Sequence, residues 1–200
     1  MKLFIDTAKT DEIRKAWSWG IIDGVTTNPT HVAASGKKFF DVIEEICAIV
    51  DGPISAEAVS LEAEEIVKEA ETLSRIHKNI VVKVPVIREG IKAVKVLTDR
   101  WIRTNMTLNF NATQAMMAVK VGAGYISPFV GRLNNINHDG MEPVRQIKTI
   151  YGHYGFTTEI LVAAQSSFAS ERLRASSRSA RSSRPEAAIS TPGPGARSED

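Results

Sequence analysis

Lys83 is the one charged residue in an otherwise apolar stretch, residues 80–86. A continuous apolar run of this length is typical of a parallel strand that is buried on both faces. A lysine amine is costly to desolvate, and burial favours its neutral form, which is the nucleophile that forms a Schiff base with a ketone. The stretch alone leaves a second interpretation open, in which the strand lies at a sheet edge and Lys83 faces water.

Other polar residues capable of chemistry lie at the ends of the predicted strands. They are Asp6, Thr26, Thr27, Asn28, Glu57, Asn105, Thr107 and Ser127, with Arg132 just beyond the sixth strand. Each has a local alternative, such as a cap at Asp6, a turn at Asn28 or a surface ion pair at Arg132. In a barrel of parallel strands all of these ends meet on one face, where active sites form, so together they predict one site.

Strands and helices that alternate along the chain are predicted to position these residues. Strands are predicted at residues 2–6, 21–25, 53–59, 80–86, 102–108, 124–127 and 156–163, and helices at residues 10–19, 39–50, 61–76, 89–100, 112–121 and 143–151. The alternation predicts parallel strands with right-handed crossovers, in either a (β/α) barrel or an open doubly wound sheet. No glycine-rich fingerprint follows the first strand, so a barrel fits better, although a barrel needs eight strands and the pattern supplies seven.

The length, net charge, cysteine content and apolar runs of the chain limit the class of protein. Its 200 residues are enough for one domain with a core. A net charge of +2 argues neither for nucleic acid nor for a membrane surface, and neither is expected as a partner. Cys47, the single cysteine, lies in a helical apolar pattern and is predicted to pack as a small hydrophobe. Neither a signal peptide nor an apolar run of about 20 residues is visible, which predicts a cytoplasmic protein.

The composition changes abruptly after Gln165. Residues 1–165 contain twelve lysines and six serines, whereas residues 166–200 contain no lysine, six arginines and ten serines. The second segment has too little apolar surface to offset its ordering entropy, and we expect it to be disordered. We therefore divide the chain into an incomplete barrel domain at residues 1–165 and a Ser/Arg/Pro-rich tail at residues 166–200, and we interpret the break as a shift of reading frame.

Six segments, in order along the chain, carry a resemblance to one enzyme family. They are FIDTA at residues 4–8, IIDGVTTNPT at 21–30, ISAEAVS at 54–60, IVVKVPV at 80–86, TNMTLNF at 104–110 and YISPFVGRLNNINHDG at 125–140. With them the chain resembles the small single-domain transaldolases and their fructose-6-phosphate aldolase relatives. The resemblance implies a (β/α)8 TIM barrel of the class I aldolase type, apparently truncated here after the seventh strand, because the family's eighth strand has no counterpart.

The resemblance also implies roles for the polar residues. Lys83 would form the Schiff base, Asp6 would take and return the proton of a sugar hydroxyl, and Glu57 would act through a water that Thr107 positions. The implied substrate-binding residues are Thr27, Asn28, Asn105, Ser127, Phe129 and Arg132, the last as the phosphate ligand. No metal or cofactor is implied, because the protonated imine itself serves as the electron sink.

Two positions bear on the reaction. Glu57 and Phe129 stand where the aldolase branch of the family has glutamine and tyrosine, so the resemblance favours transaldolase. The implied reaction moves dihydroxyacetone from sedoheptulose 7-phosphate to glyceraldehyde 3-phosphate, a step of the pentose phosphate pathway, and the expected partners are sugar phosphates. The alternatives are a fructose-6-phosphate aldolase and an inactive barrel fragment. The fragment is considered because the family's serine and arginine after the seventh strand, and the C-terminal helices that build its homo-oligomeric rings, have no counterpart.

Overall fold

The computed structural model describes residues 1–163, and its centre is a seven-stranded parallel sheet. The strands lie in chain order, each one hydrogen-bonded to the next. Their bounds are β1 Phe4–Asp6, β2 Gly24–Thr26, β3 Ile54–Glu57, β4 Ile80–Pro85, β5 Thr104–Asn109, β6 Tyr125–Pro128 and β7 Glu159–Ile160. Because all strands run in the same direction, their carboxyl ends lie together at one end of the sheet.

Helices connect the successive strands and cover the outer face of the sheet. Their bounds are α1 Thr10–Trp17, α2 Pro29–Ala34, α3 Phe39–Ile49, α4 Ala63–Ser74, α5 Arg88–Asp99, α6 Ala112–Lys120, α7 Val130–Asn135 and α8 Met141–Tyr154. Apolar residues at helical spacing bury one side of each long helix, and Ile46 in α3, Ile66 in α4 and Leu97 in α5 are fully buried. The alternation of strands and helices confirms the predicted class.

The sheet is strongly curled. In a flat sheet β1 and β7 would lie about 29 Å apart, since neighbouring strands are about 4.8 Å apart. Instead Lys2, just before β1, forms an ion pair of 2.8 Å with Glu159 in β7. The ring of Phe4 in β1 also lies 6.4 Å from the ring of Tyr125 in β6. The described part of the chain is therefore an incomplete (β/α) barrel that contains seven of the eight strands needed for closure.

The strand that carries Lys83 lies in the middle of this sheet. β4 pairs with β3 on one side and with β5 on the other, and all six of its residues are buried. The alternative of an edge strand with Lys83 in water is therefore wrong. The apolar residues on either side of the lysine explain the central position, because both faces of the strand can then be covered.

Most predicted segments are confirmed to within a few residues, but three differ. β7 is only two residues long, with one further bridge between Phe129 and Ala163, where the pattern predicts a strand over residues 156–163. No predicted segment corresponds to α2 or α7. Each has six residues, which is too short to show a periodic apolar stripe. Both helices follow carboxyl ends of strands, β2 and β6, so both lie beside the predicted site.

Cys47 packs on the core from α3, as its helical pattern predicts. Burial, with a smaller contribution from the charge of Glu44, raises the pKa of its thiol from 9.0 to about 11. Because only the thiolate reacts with disulfide reagents, we expect labelling of the folded chain near pH 8 to be about a hundredfold slower than labelling of the unfolded chain. The labelling rate of the folded chain should rise about tenfold per pH unit up to pH 11.

The measurement is the rate of thiol labelling with and without denaturant, and the Cys47→Ser chain should show no labelling at all. Equal rates for the folded and unfolded chains would contradict the packed position of the thiol.

Two predictions lie outside the described residues. They are the disordered tail at residues 166–200 and the division of the chain after residue 165, and both stay predictions. In residues 1–163 no helix combines the length and the apolar character that a membrane crossing requires.

Candidate active site

Three polar side chains form a row across the centre of the sheet. Glu57 in β3, Lys83 in β4 and Asn105 in β5 are paired in register. Side chains paired in this way point to the same face of a sheet. A carboxylate, an amine and an amide from three separate parts of the chain are thus brought side by side.

Among residues 1–163, the amine of Lys83 has two polar contacts. Its Nζ lies 2.9 Å from Glu57 Oε2 and donates a hydrogen bond of 3.2 Å to the carbonyl oxygen of Thr27. The side chains of Lys83 and Glu57 are only 9% and 19% exposed. The pair is therefore largely shielded from water. The carboxylate is close enough to exchange a proton with the amine or with a group bound to Nζ.

Asn105 is held by hydrogen bonds on both sides of its amide. Its Nδ2 donates to Ser55 Oγ at 3.2 Å, and its Oδ1 accepts from Ser127 Oγ at 2.9 Å. The hydroxyl of Thr27 donates to the carbonyl oxygen of Ser55 at 2.8 Å. All four residues are buried, so this network fixes the orientation of the amide beside the Lys83 amine.

Thr107 follows Asn105 by two residues in β5 and faces the same side of the sheet. It is 1% exposed, and its Oγ1 has no hydrogen-bond partner within residues 1–163. The next residue, Leu108, has a left-handed backbone with φ +58°, and the register of β5 and β6 shifts between Met106 and Asn109. This bulge ends the regular pairing and leaves the Thr107 hydroxyl available for a water or a substrate hydroxyl.

Asp6 ends β1 with an exposed carboxylate that has two neighbours. Its Oδ1 accepts a hydrogen bond of 2.9 Å from Thr26 Oγ1. Its Oδ2 lies 3.8 Å from Nε2 of His31, a residue of α2. The parallel pairing of Asp6 with Thr26 places this carboxylate at the same end of the barrel as the Lys83 row.

Asn28 caps α2. Its Oδ1 accepts a hydrogen bond of 2.9 Å from the backbone N–H of His31, and Pro29 occupies the first position of the helix. The local alternative for this motif, a turn before a helix, is therefore present in the structure. The side-chain amide group of Asn28 remains the part able to donate to a substrate.

Arg132 and Phe129 lie at the carboxyl end of β6. Arg132 is exposed on α7, and within residues 1–163 its guanidinium forms no hydrogen bond and no ion pair. Phe129 is half-buried and meets Phe110 edge to face, with ring centres 5.9 Å apart. The guanidinium of Arg132 can bind an anion, and the ring of Phe129 provides an apolar surface.

The same residues contain no candidate metal centre. In residues 1–163 no three His, Cys, Asp or Glu side chains are grouped so that they could hold a metal ion. The chemistry that the described geometry supports is that of a shielded amine beside a carboxylate.

The statistical model of one protein family, described as Transaldolase/Fructose-6-phosphate aldolase, matches residues 3–170. The chain belongs to this family. It is 64% identical over 164 residues to a probable transaldolase of Dictyoglomus turgidum and 57% identical over 164 residues to one of Thermodesulfovibrio yellowstonii. Each of these alignments covers 82% of this chain and 77% of the relative.

A third relative, the probable transaldolase of Caldicellulosiruptor saccharolyticus, is 54% identical over 165 residues, which is 82% of this chain and 76% of the relative. The resemblance stated from the six segments is thereby confirmed.

The structure of this transaldolase-family chain brings five of the ten predicted site residues into one network. Lys83 contacts Glu57 and Thr27 directly, and Ser55 connects Thr27 to Asn105 and Ser127. Asp6, Asn28, Thr107, Phe129 and Arg132 lie at the carboxyl ends of their strands without a recorded contact to Lys83. Their functional roles stay predictions.

Sequence reasoning missed two residues of the site. Ser55 joins the backbone of β3 to Asn105, and it lies two residues before Glu57, so period-two alternation was the available signal. His31 approaches Asp6 from a helix that the pattern does not reveal, and its signal was the third helical position after the cap Asn28.

Proposed function

We propose that this chain is a transaldolase that forms a Schiff base on Lys83 and transfers dihydroxyacetone from sedoheptulose 7-phosphate to glyceraldehyde 3-phosphate. The observation that carries the proposal is the buried amine of Lys83, 2.9 Å from the carboxylate of Glu57. Family membership and relatives named probable transaldolase support the same chemistry.

The first half of the proposed reaction makes the imine. The Lys83 ammonium first passes a proton to the carboxylate of Glu57, 2.9 Å away. The resulting neutral amine adds to the ketone carbon of the donor, and one of its protons moves to the former carbonyl oxygen, which gives a carbinolamine. Glu57 delivers a proton, through a water held by Thr107, to the departing hydroxyl. Loss of water then leaves a protonated imine beside the fixed amide of Asn105.

The second half breaks and remakes a carbon–carbon bond. Asp6 takes the proton from the donor hydroxyl, and the bond between the carbon that bears this hydroxyl and the carbon next to the imine carbon breaks. Its electron pair moves into the protonated imine to give an enamine. The first aldehyde product leaves, and the acceptor aldehyde is attacked by the enamine. Asp6 then returns the proton to the alkoxide oxygen that this attack forms, and water hydrolyses the new imine and frees Lys83.

Arg132 is proposed to bind the substrate phosphate. The support is its exposed guanidinium, which lies at the carboxyl ends of the strands and has no partner among residues 1–163. In Arg132→Gln, kcat/KM for phosphorylated substrates is expected to fall about 30- to 150-fold, because a charge-assisted hydrogen bond contributes about 2–3 kcal/mol. The measurement is steady-state kinetics with phosphorylated and unphosphorylated acceptors.

A matched control is Arg100→Gln. Arg100 directly follows α5, at the opposite end of the barrel, and forms an ion pair with Glu71. An equal loss with phosphorylated and unphosphorylated acceptors would contradict the phosphate role of Arg132.

Borohydride reduction in the presence of fructose 6-phosphate tests the function as a whole. We expect a sugar adduct on the peptide that contains Lys83, together with erythrose 4-phosphate formation in a coupled transfer assay. Condensation of free dihydroxyacetone with glyceraldehyde 3-phosphate at a higher rate than transfer would identify an aldolase instead. The absence of both adduct and turnover would identify an inactive fragment.

A further inference from the structure

The carboxylate of Asp6 has one oxygen that is held and one that is not. Thr26 Oγ1 donates to Oδ1 at 2.9 Å. The closest recorded neighbour of Oδ2 is Nε2 of His31, at 3.8 Å, which is an ion-pair distance and about 0.6 Å too long for a hydrogen bond. Within residues 1–163, Oδ2 is therefore the carboxylate oxygen that accepts no hydrogen bond.

The imidazole of His31 has an unused hydrogen-bonding atom at this point. Nε2 is shielded from water and has no hydrogen-bond partner within the described residues. A buried polar atom without a partner is unfavourable by about 1–3 kcal/mol. A small movement that closes the 3.8 Å gap would satisfy Nε2 and would fix Oδ2 at the same time.

The position of His31 is set by rigid surroundings. Its backbone N–H is bound by Asn28, the first turn contains Pro29, and the next residue, Val32, is 4% exposed in the core. The cap Asn28 and Pro29, which follow β2, therefore place the imidazole beside Asp6 at the end of β1 without any contact to a substrate.

The other acid near His31 is already occupied. Glu12, in α1, accepts hydrogen bonds from Lys9 and from Thr7, and these two donors, with a smaller effect of the charge of His31, lower the pKa of Glu12. A carboxylate with two short hydrogen bonds has less need of a third donor. Asp6 Oδ2 is thus the acceptor that the geometry offers to Nε2.

We propose that His31 is a positioning residue for Asp6, whose Nε2–H donates a hydrogen bond to Oδ2 and holds the carboxylate in place for proton transfer. The inference rests on the proposed function, in which Asp6 receives the substrate proton. His31 exchanges no proton: the hydroxyl O–H bond of the donor breaks, and that proton adds to a remaining lone pair of the carboxylate.

The test compares His31→Leu, which removes the donor, with His31→Gln, whose amide nitrogen can replace Nε2. In His31→Leu, kcat is expected to fall about tenfold or more while KM changes less than about twofold, because the carboxylate is mispositioned only for the proton transfer. His31→Gln should recover most of kcat. Borohydride trapping on Lys83 should be unchanged in both, since imine formation precedes the step that uses Asp6.

Two controls separate positioning from loss of structure. His77→Leu and His77→Gln alter a histidine that bonds to the N–H of Asn79 before β4, at the opposite end of the barrel, and should leave kcat unchanged. In an Asp6→Asn background, His31→Leu should cause no further loss, because its partner is already neutral.

An unchanged kcat in His31→Leu, equal losses in the Leu and Gln variants, or a full further loss in the Asp6→Asn background would overturn the inference while the proposed function stands. If the unmodified chain neither turns over nor forms the Lys83 adduct, the proposed function fails and the inference falls with it.

Discussion

Replacing Lys83 with methionine is expected to abolish the borohydride-trapped sugar adduct and to lower kcat/KM on the order of 10⁴-fold or more, because it removes the nucleophile of the proposed reaction. The stability of the fold should change little. Methionine fills the space of the aliphatic stem in the centre of β4, and Glu57, at 19% exposure, keeps access to water. We expect the free energy of unfolding to fall by less than about 2 kcal/mol. Peptide mass analysis after reduction, with kinetics and denaturant unfolding, measures all three effects.

Lys92→Met is the matched control. Lys92 lies on α5, pairs with Glu89 at the surface and has a side chain 55% exposed. Its removal should leave adduct formation and turnover unchanged. Residual activity of Lys83→Met within a hundredfold of the unmodified chain, or an adduct on another lysine, would exclude Lys83 as the Schiff-base residue.

The parts of this site that sequence predicts well are those set by a strong local pattern. The apolar run around Lys83 predicts a buried strand because burial on both faces requires such a composition, and β4 occupies that place. Glu57 and Asn105 follow from the rule that parallel strands align their carboxyl ends, so knowing the strands is nearly enough to know that these side chains meet.

The parts that sequence does not predict depend on tertiary contacts. Leu108 adopts a left-handed backbone, which is unfavourable for a leucine by about 1–2 kcal/mol. Its residue type therefore does not predict the bulge beside Thr107. The approach of His31 to Asp6 depends on a six-residue helix after β2. Side-chain distances such as 2.9 Å between Lys83 and Glu57 also have no signature in a one-dimensional pattern.

Replacing Glu57 with alanine is expected to have two large effects. First, it leaves the Lys83 ammonium, 9% exposed, without its carboxylate, and removing one partner of a buried ion pair is strongly unfavourable. Because Glu57 is partly exposed and Thr27 still accepts from Nζ, we expect a loss of about 3 kcal/mol in the free energy of unfolding, at the low end of the range for such pairs. Second, kcat should fall about 10²-fold or more through loss of the proposed general acid.

A cycle with Lys83→Met separates the ion pair from the general effect of truncation. Glu57→Leu should destabilise the chain about as much as Glu57→Ala, because both leave the Lys83 ammonium without its carboxylate. In the double variant Glu57→Leu/Lys83→Met no charge is buried, so the free energy of unfolding should return to within about 1 kcal/mol of the unmodified chain, with a coupling of about 2–5 kcal/mol between the two sites. Additive losses would mean that the two side chains act independently in the folded protein. Water would then separate the carboxylate from the amine, and the proton transfer assigned to Glu57 would lose its geometric basis.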